Sequence, residues 1–76
     1  MYTTNIRCIR VTFAHNNKTH HVLCDFMPTK HEMTAHMRED KVIDKHDRIV
    51  AMIESTFDEA ITAITKQSYS VLRYKQ

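Results

Sequence analysis

The sequence predicts a small α+β domain, with an N-terminal antiparallel β-hairpin and a C-terminal strand forming a sheet covered by one short and one long helix, in the order ββααβ. Three patterns predict it. Two early runs alternate apolar and polar residues with the period of a strand. A long middle segment repeats its apolar residues with the period of a helix. The tail then returns to strand-like alternation. The length of 76 residues allows one core, so residues 1–76 are read as a single domain.

The hairpin is assigned to residues 6–14 and 20–27, both rich in β-branched and aromatic side chains. Asn16, Asn17, Lys18 and Thr19 lie between them, and asparagine tolerates the left-handed conformation of a tight turn. If those four residues form the loop, His15 faces His20, Phe13 faces Val22, Val11 faces Cys24 and Ile9 faces Phe26. That register puts a continuous apolar set on one face and sets Arg10 opposite Asp25. It also places Cys8 and Cys24 on opposite faces, which forbids a disulfide between them.

Pro28 separates the β part from the helical part. Thr29 and Glu32 form a capping box, so a helix is expected over residues 30–40, with Met33 and Met37 one turn apart. From Val42 to Ile64, nine apolar residues fall within an arc of about 120° on a helical wheel, which argues for a long helix over 42–66. A competing reading makes 47–54 a strand, with Thr56 and Glu59 capping a new helix, in the order ββαβαβ. Length supports it: a helix from 42 to 66 spans about 37 Å, against about 30 Å for a compact domain of this size. The tail, Tyr69 to Lys75, is expected to add a strand to an edge of the hairpin.

Composition excludes more than it selects. Hydrophobic residues make up 42% and charged residues 26%, so the chain can bury a core. A net charge of +2 permits nucleic acid without arguing for it. The chain contains no glycine, which rules out a P-loop, a dinucleotide fingerprint and a nucleophile elbow. Its turns must use Asn, Asp and Lys. No apolar run is long enough to span a bilayer and no signal-peptide pattern is seen. The expected location is cytoplasmic, with reduced thiols.

Chemistry-bearing residues are present without a recognised arrangement. The six histidines, His15, His20, His21, His31, His36 and His46, lack the spacing of zinc ligands; only His15 and His20 are expected to approach one another. Cys24 faces the core, the place of an inert thiol, and Cys8 lacks a base. Glu39-Asp40 and Asp58-Glu59 are read as charges near helix starts. No catalytic residue, cofactor or metal is assigned, and the chain is not read as an enzyme.

What remains is binding. The tail carries Tyr69, Arg73, Tyr74 and Lys75 close to Lys66, a mixture suited to protein interfaces, to stacking and phosphate contact, or to guarding an edge strand. Met33 and Met37 lie off the main stripe, so they either cover the hairpin or form a sticky patch. Arg10, Met33, Met37, Arg73, Tyr74 and Lys75 are therefore the contact candidates. The expected function is a small cofactor-free module that binds another protein, or a protein–nucleic acid complex, and acts by steric occlusion. In general character it is like the inhibitors of host machinery encoded by phages and mobile elements, anti-CRISPR proteins among them. The alternatives are a nucleic-acid-binding regulator, dimeric through the 42–66 stripe, and, less favoured, a structural zinc module.

Overall fold

The computed structural model describes residues 6–15 and 17–73. Its elements are β1 (Arg7–Phe13), β2 (Thr19–Cys24), α1 (Lys30–Glu39), β3 (Ile49–Glu54), α2 (Phe57–Thr65) and β4 (Tyr69–Leu72). The α+β class, the hairpin, the C-terminal strand and two helices stand as read from the sequence. The segment 42–66 does not form one long helix, because 49–54 is a strand and the order is ββαβαβ. Two local features decide this. The run Ile49-Val50-Ala51-Met52-Ile53 is rich in β-branched residues that fit a pleated surface. The Thr56 hydroxyl then accepts the Glu59 N–H at 3.2 Å and starts α2 afresh.

The four strands lie in the order β3-β1-β2-β4. β1 is antiparallel to both β2 and β3, and β4 runs parallel to β2. The hairpin register differs from the expected one by four residues: Ile9 faces Val22, Arg10 faces His21 and Val11 faces His20. The turn closes earlier than the asparagine pair suggested, with Phe13 N–H donating to Lys18 O at 2.9 Å. Asn17 takes the left-handed conformation there, at φ 55°. A slip of four is even, so every side chain keeps its face. Ile9, Val11, Phe13, Val22 and Cys24 are all buried as expected, while Phe26 falls past the end of β2. The cross-strand pairs do change. Arg10 does not face Asp25, and His15 sits exposed in the turn away from His20.

α1 begins at the predicted capping box, with Glu32 N–H donating to Thr29 Oγ1 at 3.1 Å and Thr29 N–H to Glu32 Oε1 at 2.8 Å. It lays Met33 and Met37 on the apolar face of the hairpin, where Ile43 and Ile49 complete the core. Both methionines are fully buried. They are therefore not the contact residues the sequence suggested. α1 buries no other side chain, so this pair must cover Ile9, Val11 and Val22.

Both connections from β2 onward cross the sheet, β2 to β3 through α1 and β3 to β4 through α2. They run in opposite directions, so connections of one hand place the two helices on opposite faces. The Phe13 amide turns to β2 while its ring enters the core, and with L-residues those two directions make both crossovers right-handed. β3 carries a bulge at Val50, since Thr12 pairs with Ala51 but Phe13 pairs with Ile49.

Without glycine, both helices end on strained residues. Lys41 and Gln67 adopt φ of 60° and 56°. Val42 N–H then donates to Met37 O at 2.9 Å and Ser68 N–H to Ala63 O at 3.0 Å, closing a Schellman motif at each C-terminus. A left-handed non-glycine residue costs about 1–2 kcal/mol, partly offset by the greater entropy of an unfolded glycine. Gln67→Gly is therefore expected to raise stability by about 0.5–1 kcal/mol, read as a higher urea midpoint at unchanged slope. A lower midpoint would contradict this account of the turn.

Candidate functional site

Alternation along the strands gives the sheet a second face, which carries Cys8, Arg10 and Thr12 on β1, His21 and Leu23 on β2, Ala51 and Ile53 on β3, and Tyr69 and Val71 on β4. α2 lies over it, turning in Glu59 and Ala63, the one residue of this helix that is buried. The large apolar residues point elsewhere. Phe57, Ile61 and Ile64, at i, i+4 and i+7, share one side of the helix, and they are 78%, 46% and 43% exposed. With about 100° between residues and a right-handed crossover, that side is the flank turned toward β4. Val71 lies on the same face of β4, and it too is half exposed. Together these four side chains expose on the order of 400 Å² of apolar surface, as much as the largest patch on an ordinary monomer.

What holds α2 down is polar. Glu59 accepts from Arg10 Nη1 at 2.9 Å through Oε1, and its Oε2 lies 2.7 Å from His21 Nε2. Arg10 and His21 are cross-strand partners, so one carboxylate bridges β1 and β2 to the helix. Arg10, a predicted contact residue, is therefore committed to the fold, with its side chain still 38% exposed. The capping-box reading of Thr56 and Glu59 is half right: the backbone bond forms, and the carboxylate serves the sheet.

The opposite side of β4 borders a groove between that strand and α1. Phe26, Val71 and Leu72 contribute its apolar lining, Glu32, Glu39 and Asp40 its carboxylates, and Arg73 lines it as well. Glu39 and Asp40 were read as lying near a helix start. They stand instead at the C-terminus of α1, where negative charge opposes the helix dipole. His36 also lines the groove, one turn before Asp40. Its buried Nε2 is 3.5 Å from Asp40 Oδ2, yet without hydrogen-bond geometry. Next to it, a 2.8 Å hydrogen bond joins His20 Nε2 and Ser70 Oγ, tying β2 to β4. Burial pushes the His20 pKa down, helped by the neighbouring His21 and His36 and opposed by Asp40.

Arg73 is exposed directly after β4, while Tyr74 and Lys75 lie outside the described residues. Among the described residues, no three His, Cys, Asp or Glu side chains converge on a position that could hold a metal ion, and no helix is long and apolar enough to cross a membrane. Cys8 and Cys24 are unbridged and buried on opposite faces. Burial raises the Cys24 thiol to about 11, in keeping with an inert core residue.

Because burial lowers the His20 pKa in the fold, the unfolded chain takes up its proton first as the pH falls through the ordinary value of 6.5. This contribution to stability is intact above that pH and is lost below it. Between about pH 7.5 and about pH 5.5, His20→Gln is expected to lose less stability than the wild type in urea titrations. Equal losses would show that His20 does not titrate differently in the two states. No protein-family model, curated protein or solved structure matches the chain, so its function is to be read from these surfaces.

Proposed function

We propose that this chain is a protein-binding module that acts by steric occlusion, using the flank of α2 and the adjoining strand β4. The observation that supports this reading is the inverted packing of α2. Ala63 and a carboxylate face the sheet, while Phe57, Ile61 and Ile64 face outward. A helix that packed for stability alone would turn its large apolar side chains to the core. An exposed aromatic within an apolar stripe is instead the form that interface hot spots take. The cytoplasm is the proposed location. An anti-defence inhibitor encoded by a phage or mobile element is the proposed biological setting, one in which a small cofactor-free module works by covering a host surface.

A peptide-display selection against the wild-type protein, counter-selected on Phe57→Ser/Ile61→Ser, tests the surface. Ligands are expected to enrich and to bind the double variant at least about 30-fold more weakly, as loss of a hot-spot aromatic implies. The variant should stay folded, because Phe57 is largely exposed. Failure to enrich any ligand that distinguishes the two proteins would contradict the proposal.

A second reading, binding to nucleic acid, is supported by one observation. Arg38, Lys41 and Lys45 line a common hollow after α1. It predicts affinity for single- or double-stranded oligonucleotides that falls steeply with salt. A flat salt response, or no binding at low salt, would dispose of it.

A further inference from the structure

We infer that the surface proposed above receives an extended segment of its partner, added as a strand to the outer edge of β4, with apolar and basic side chains in alternation. This rests on the protein-binding reading and specifies what is bound. β4 has β2 on one side and no strand on the other among the described residues. In the hairpin, the amides of β2 at His20 and Val22 turn to β1, so those of His21 turn to β4. In parallel register with His21 opposite Tyr69, the groups of Tyr69 and Val71 then point outward. They offer two N–H donors and two carbonyl acceptors to an incoming strand, the basis of β-strand addition.

The two walls beside that edge differ in chemistry. On one face the new strand would meet Val71, Phe57 and Ile61, which are apolar and exposed. On the other it would meet the groove lined by Glu39 and Asp40. Successive side chains of a strand point to opposite faces, so the segment that fits alternates apolar residues with lysine or arginine. The carboxylate wall stands out on a chain whose net charge is +2. It also breaks a local rule, since acidic residues at a helix C-terminus disfavour the helix. The other edge is less suited to this role. β3 is interrupted by the bulge at Val50 and ends on Glu54, which pairs with Arg7 at 3.2 Å.

The test is an NMR titration of the isotope-labelled full chain with capped peptides of about seven residues. One alternates valine and lysine, one has the same composition with the lysines in a block, and one alternates valine and glutamate. The alternating basic peptide is expected to give saturable shifts at Tyr69–Arg73 and the second half of α1. Its affinity should fall at least about fivefold in Glu39→Gln/Asp40→Asn and with added salt. It should be lost in Val71→Pro, which removes an outward N–H while leaving the bonds to β2. Equal binding of the glutamate peptide, or no effect of the acidic double variant, would overturn the inference. So would concentration-dependent shifts at the same residues without peptide, which would make a second copy the occupant. If no peptide binds while displayed ligands still bind through Phe57 and Ile61, the extended segment is wrong and the binding surface stands. If neither binds, both fail.

Discussion

The alternation along β1 is the constraint on which the rest of the structure depends. Ile9, Val11 and Phe13 point to one side and are at most 4% exposed. Cys8, Arg10 and Thr12 point to the other. The strand has neighbours on both edges and a helix over each face, so every other element is placed by reference to it. α1 is positioned because Met33 and Met37 must cover its apolar side. α2 is positioned because Arg10 and His21 hold Glu59 on its polar side. One face is thus closed by burial, at about 25 cal/mol per Å² of apolar area, and the other by a partly buried polar network of modest worth.

That asymmetry links the fold to the proposed function. A helix tethered by one carboxylate and one buried alanine leaves its large side chains available. The right-handed crossover then turns them toward β4, which has no strand on its outer side among the described residues. Apolar stripe, open strand edge and acidic groove therefore lie side by side for a topological reason. Each is a weak feature when taken alone, since stray exposed hydrophobics and short edge strands are common.

Much of this was legible in the residues. The hairpin, the capping box at Thr29, the core set Ile9, Val11, Phe13, Val22 and Cys24, the opposed cysteines and the C-terminal strand all follow from period-two alternation and cap chemistry. The register did not, because an even slip leaves both faces intact and only turn geometry separates the alternatives. Residues 49–54 were ambiguous because a short apolar run fits a helical arc and a buried strand equally well. The site was less legible than the fold. Met33 and Met37 were drawn toward a surface by lying off the main stripe, when they define the core side of a separate helix. The stripe of Phe57, Ile61 and Ile64 was seen, but nothing local shows that it faces outward. That depends on Glu59 finding Arg10 and His21, which are 49 and 38 residues away in the chain. The tail candidates Tyr74 and Lys75 fall outside the described residues, and Arg73 borders the groove.

Residue-resolved amide hydrogen exchange on the free protein tests most directly whether the β4 edge and the α2 flank are uncovered. Slow exchange is expected across β1 and β2 and at Ser70 and Leu72, which face β2. Fast exchange is expected at Tyr69 and Val71, which face outward, and weaker protection in α2 than in α1. Slow exchange at Tyr69 and Val71 at every protein concentration would mean that the edge is already occupied within the chain, and would contradict the surface on which the proposed function rests.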